Sequence, residues 1–72
     1  MNRVQVTSTM LRSVGYDPTT RTLEAEFTSG AVYRYHDVPT EVYDGLMVAD
    51  SHGQYFNALI RDCYRYDRLR GP

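Results

Sequence analysis

Thr22-Leu23-Glu24-Ala25-Glu26-Phe27-Thr28-Ser29-Gly30-Ala31-Val32-Tyr33-Arg34-Tyr35-His36 is the stretch whose reading decides the fold. Its first half alternates, with Leu23, Ala25 and Phe27 on one face and Glu24, Glu26 and Thr28 on the other. A period of two belongs to a half-buried strand, which is expected over residues 21–28. Ser29-Gly30 then turns the chain into a second strand over residues 31–36. The length of that turn sets the register. A two-residue loop, Ser29-Gly30, would pair Phe27 with Val32 and bring Arg34 and His36 onto the face of Leu23, Ala25 and Phe27. A three-residue loop, Thr28-Ser29-Gly30, pairs Phe27 with Ala31, Ala25 with Tyr33 and Leu23 with Tyr35, which gives one continuous apolar face. Three-residue loops end on a left-handed residue, where glycine is strained least. The longer loop is therefore expected. It turns the rings of Tyr33 and Tyr35 to the core side and sets Arg34 and His36 opposite.

Outward from this hairpin, residues 9–16 read as a preceding strand, and Asp17-Pro18-Thr19-Thr20 as the turn between them. Proline presets φ at the second turn position, and an aspartate can bond the backbone ahead of it. Residues 2–8 form a lead-in with strand-like alternation at Val4 and Val6. Downstream, Pro39 opens a helix in the first turn, where a missing N–H does no harm. Val42, Tyr43, Leu46 and Ala49 recur at helical spacing, so this helix is expected to reach about Asp50. Ser51-His52-Gly53-Gln54 breaks it and forms an S-x-x-Q capping box for a second helix. That helix presents Tyr55, Phe56, Leu59, Ile60 and Cys63 on one side. The tail, Tyr64-Arg65-Tyr66-Asp67-Arg68-Leu69-Arg70, reads as an extended segment on the sheet edge, with a frayed helix end as the alternative. The expected architecture is α+β: a three-stranded antiparallel meander with two helices packed on one face and a short C-terminal extended segment.

Seventy-two residues make one domain, residues 1–72, with a core over about residues 8–69. A chain of this length buries only about 60% of the surface its unfolded form exposes. Nearly every large apolar residue is therefore needed for packing. The single cysteine, Cys63, cannot close an intramolecular disulfide, no signal-like run follows Met1, and no stretch is apolar enough to span a membrane. These features set the expectation of a reducing, cytoplasmic setting. All eight basic residues are arginine. The net charge of −1 conceals a division, −3 over residues 1–60 and +2 over residues 61–72. A protein that holds nucleic acid mainly through phosphates would be more basic overall. The tail is where such contacts would concentrate.

The ordered features resemble the KTSC domain, a family that occurs at the C-terminus of some lysyl-tRNA synthetases and as stand-alone small proteins. The resemblance rests on Ser8, Val14-Gly15-Tyr16-Asp17, Thr22-Leu23 through Phe27, Gly30 and Tyr33-x-Tyr35. It continues through Val38-Pro39, Val42-Tyr43, Ala49-x-Ser51-x-Gly53-x-Tyr55-Phe56-Asn57, Ile60-Arg61 and Tyr64. The Tyr-x-Tyr strand is the family's hallmark. The resemblance implies a binding module, with RNA as a suggested ligand, and transfers no catalytic residue.

Aromatic faces stack on unpaired bases and arginines take phosphates. Arg34, His36, Tyr64, Arg65, Tyr66, Arg68 and Arg70 are the candidate binding residues, whereas the register assigns Tyr33 and Tyr35 to the core. The same tyrosine and arginine enrichment suits a protein-interaction surface, so RNA and a protein are both candidate partners. Ser51 beside His52 is not a nucleophile–base pair, since such pairs are assembled from distant positions. Capping explains Ser51 and Gln54, with an anion contact by the Gly53–Gln54 backbone as an additional reading. His36, His52 and Cys63 lack metal-ligand spacing, and Cys63 on an apolar helix face reads as a small core residue. Glu24 and Glu26 read as a solvated edge. The expectation is a non-enzymatic module without catalytic residues, metal or cofactor.

Overall fold

The computed structural model describes residues 1–71. Its elements are β1 (Arg3–Gln5), β2 (Leu11–Asp17), β3 (Thr22–Phe27), β4 (Val32–Tyr35), α1 (Thr40–Val48), α2 (His52–Leu59) and β5 (Tyr66–Arg70). The strands form one antiparallel sheet in chain order, β1 to β5. The expected meander is β2-β3-β4. The lead-in adds β1 at one edge, and the tail adds β5 at the other, beside β4.

The β3–β4 hairpin takes the three-residue loop. Leu23 lies opposite Tyr35 and Ala25 opposite Tyr33. The Phe27 N–H donates to the Ala31 carbonyl at 2.9 Å, and Gly30 sits at φ +99°. A side chain there would strain the backbone. At the β2–β3 turn the Asp17 carboxylate accepts the Thr19 N–H at 2.9 Å. β2 carries an irregularity that periodicity did not predict. Leu11 and Val14 are both fully buried although three residues apart. A bulge between Leu11 and Ser13 inserts Arg12 and restores both to the core face.

Both helices lie on that face. Leu11, Val14, Leu23, Ala25, Tyr35, Val38, Leu46, Phe56 and Ile60 form the core. Tyr43 of α1 stacks on Tyr16 of β2, ring centroids 4.8 Å apart. Phe56 of α2 meets Phe27 and Tyr35 edge-on, each at 5.4 Å. Pro39 is the N-cap of α1, one position before the first turn, and its carbonyl accepts from Val42 at 3.0 Å. The helix stops at Val48, short of Asp50, because Ala49 is already extended. Ser51 caps α2 as expected, its hydroxyl accepting the Gln54 N–H at 3.2 Å.

Two expectations about α2 fail together. The helix ends at Leu59, and the chain turns over the residues after it. Cys63 is therefore exposed rather than a core residue, and Leu59 is also exposed. Helical spacing was carried past the last helical turn.

The opposite sheet face differs from the expectation for Glu24 and Glu26. Two rows cross it: Arg3, Gly15, Glu24, Arg34 and Asp67, then Gln5, Ser13, Glu26, Val32 and Arg70. Glu24 is buried rather than solvated, bonded to Arg34 at 2.9 Å and to Arg3 at 3.4 Å. Glu26 is held by Ser13 at 2.9 Å, Arg70 at 3.1 Å and Arg12 at 3.8 Å. Gly15 makes the first row possible. A Cβ there would lie 2.9 Å from both the Arg3 side chain and the Asn2 carbonyl.

Candidate ligand-binding groove

The sequence-predicted residues fall on different surfaces. Arg34 and His36 occupy the face away from the helices, as the register requires, and both are paired there. Arg34 bonds Glu24, and His36 Nε2 lies 2.7 Å from Asp67 Oδ2. Arg70 bonds Glu26 and also donates to the Gly30 carbonyl at 3.1 Å. The Ser13 hydroxyl bond, helped by Arg3, Arg12 and Arg70, holds the Glu26 carboxyl below its usual range despite partial desolvation. These arginines already have acidic partners. Tyr64 packs partly against the core, and the Arg65 carbonyl accepts the His36 N–H at 2.9 Å. Arg65 and Arg68 are exposed and form no ion pair among the described residues.

Tyr66 turns the other way. It lies opposite Tyr35 on the helix side of the sheet. Its ring stacks on Tyr33 at 5.3 Å and 27° and lies over Tyr35 at 5.5 Å and 40°. Tyr33 and Tyr35 are themselves stacked at 6.4 Å and 23°. Tyr35 is almost wholly buried, Tyr33 is half-buried, and Tyr66 keeps half its surface exposed. Burial pushes the Tyr35 hydroxyl up to about 12, with Tyr33 and Tyr66 adding to the effect. It therefore remains a protonated donor in ordinary buffers.

These three rings line a groove of about 440 Å³ at the open side of α2. Met10, Phe27 and the Thr28–Ser29 turn form one wall, and Arg61 and Asp62, just past α2, form the rim. The rim residues were missed as candidates, although Ile60-Arg61 was part of the sequence resemblance. Their role depends on where α2 ends, which periodicity overran. A second cleft, about 400 Å³, joins Ser8 to Ser51, His52, Gly53 and Asn57. Its hydrogen bonds serve the fold: Ser8 Oγ accepts from Met10 and Leu11, and His52 Nδ1 meets the Leu46 carbonyl at 2.8 Å. Among the described residues no cluster of His, Cys, Asp and Glu could hold a metal ion. No helix among the described residues is long and apolar enough to cross a membrane.

The sequence pattern of the KTSC domain matches residues 7–66. The chain belongs to the KTSC domain family. A crystal structure of a KTSC domain protein from Yersinia pestis superposes with a TM-score of 0.93 at 32% identity, covering 96% of this chain and 97% of that one. An uncharacterized protein of Stutzerimonas stutzeri is 51% identical over 70 residues, which is 96% of this chain and 99% of the relative. A lysine–tRNA ligase of Nostoc sp. is 42% identical over 59 residues, covering 82% of this chain but only 10% of the ligase. This KTSC domain thus has relatives both as small proteins and as a minor part of much longer ones.

Proposed function

We propose that this KTSC domain is a binding module that holds unpaired RNA against the Tyr33–Tyr35–Tyr66 groove. The observation that carries this reading is the three-ring stack left half-open beside Arg61. A flat base extends such a stack, and a base–aromatic contact contributes about 1–3 kcal/mol. Arg61 lines the groove, and the exposed Arg65 and Arg68 flank Tyr66 along the chain; all three suit a single strand's phosphates. The groove offers stacking faces and charge, which is binding chemistry. The likeness to part of a protein named for a tRNA substrate supports RNA as the ligand class.

The test is binding of a mixed RNA pool at about 50 and about 200 mM salt, since phosphate contacts weaken steeply with added ions. Affinity should fall with salt, Arg65→Ala with Arg68→Ala should flatten that dependence, and Tyr66→Ala should weaken binding about tenfold. No binding at the lower salt would sink the RNA reading. A protein partner is the second reading, favoured by β5, every residue of which is exposed along a free sheet edge. Extended peptides add to such edges.

A further inference from the structure

We propose that the groove selects guanine, with the Asp62 carboxylate accepting from the base's Watson–Crick edge. This rests on the RNA reading above and deepens it. The starting observation is a misfit. Asp62 lines the groove, is exposed and forms no ion pair among the described residues. A carboxylate repels phosphate, so a site built only for backbone contact and stacking has no use for one here. It needs a ligand that brings hydrogen-bond donors into an aromatic groove.

Unpaired RNA is read through the edges of its splayed bases. Guanine carries two parallel donors on one edge, N1–H and the N2 amine, which match the two oxygens of a carboxylate. Adenine and cytosine each present one amine beside an acceptor, and uracil one N–H between two carbonyls. A carboxylate therefore gains a second bond from guanine and meets a lone pair on the others. Arg61, the neighbouring rim residue, supplies the positive charge for a flanking phosphate. Arg61 and Asp62 are adjacent in sequence, and both line the groove beside the tyrosine rings.

A cationic side chain is the competing occupant, because acids and aromatic rings also form ammonium cages. The ring geometry favours the base. A cage needs faces turned inward around a void, whereas Tyr33 stacks within 23° of Tyr35 and 27° of Tyr66, and only the Tyr35–Tyr66 pair is tilted, at 40°. Near-parallel rings are continued by another flat ring.

The experiment measures binding of labelled pentamers, UUXUU with X as guanine, adenine, cytosine, uracil or inosine, which lacks the N2 amine. Guanine should bind about tenfold more tightly than the other standard bases, the discrimination that a bidentate edge contact supplies. Inosine should lose most of that advantage. Asp62→Asn should abolish the preference by lowering guanine affinity to or below that of the all-uracil pentamer, whose own binding should rise as the repulsive charge is removed, with unchanged near-UV circular dichroism. Equal binding of all pentamers, or a guanine preference that survives Asp62→Asn, would overturn the assignment while leaving the RNA reading intact. Failure of every pentamer and of the mixed pool, with capture of an arginine-rich peptide instead, would overturn both.

Discussion

Tyr35 joins packing to chemistry. Its ring closes the core against Phe56, its side chain also lines the groove, and desolvation keeps its hydroxyl protonated. The linked effect on stability has a definite sign. A folded-state value of about 12 exceeds the ordinary 10.0, so the folded form retains a proton that the unfolded form gives up. The stabilisation is fully present below pH 10 and is lost as pH rises through about 12. Urea midpoints taken upward from about pH 9 should fall for the wild type and fall less for Tyr35→Phe, which has no hydroxyl to titrate. Equal slopes would remove Tyr35 from the account. The residue's orientation was legible in the sequence because loop length and glycine placement fix which side a strand residue faces. Tyr66 was legible as a binding candidate, but its stacking on Tyr33 and Tyr35 was not. That contact joins residues about thirty positions apart and depends on how α1 and α2 return the chain to the sheet.

The two helices depend on one close approach. Gly45 in α1 has no room for a Cβ against the Tyr55 hydroxyl, and the ring carbon behind that oxygen would lie at 2.8 Å. Alanine is ordinarily better than glycine inside a helix by about 0.5–1 kcal/mol. Here overpacking should win, and Gly45→Ala should destabilise by about 1–3 kcal/mol in denaturant titration. With Tyr55→Ala already present, the same change should become neutral or stabilising. If it remains as harmful, the contact is not the cause. At this scale the existence and type of elements were readable from Leu23, Ala25 and Phe27 or from Val42, Tyr43 and Leu46. Boundaries and irregularities were not. The Arg12 bulge answers the need to bury both Leu11 and Val14, a demand that arises only when β3 and the helices are in place. Cys63 shows the converse: it continues a helical spacing after the backbone has stopped being helical. The ionic face was legible as charged strand positions, but not as rows, because β1 and β5 supply their ends.

The whole molecule is a sheet wound in chain order, so three of its four strand pairings join near neighbours in sequence. The fourth, β4 with β5, spans both helices. β5 is exposed at every position and is held by β4 and by edge contacts of Asp67 and Arg70. Local opening should therefore begin there. In hydrogen exchange, the amides of Tyr66–Arg70 should exchange well before those of β2 and β3, and a groove-bound RNA should slow them. Protection equal to that of the central strands would show that β5 opens only with the whole domain. The late position of β5 also bears on synthesis. Tyr33 and Tyr35 leave the ribosome on one short strand, but the ring that completes the groove follows some thirty residues later. On the proposed reading, the groove is complete only once β5 has paired with β4, so ligand contact reports that the last strand is in place.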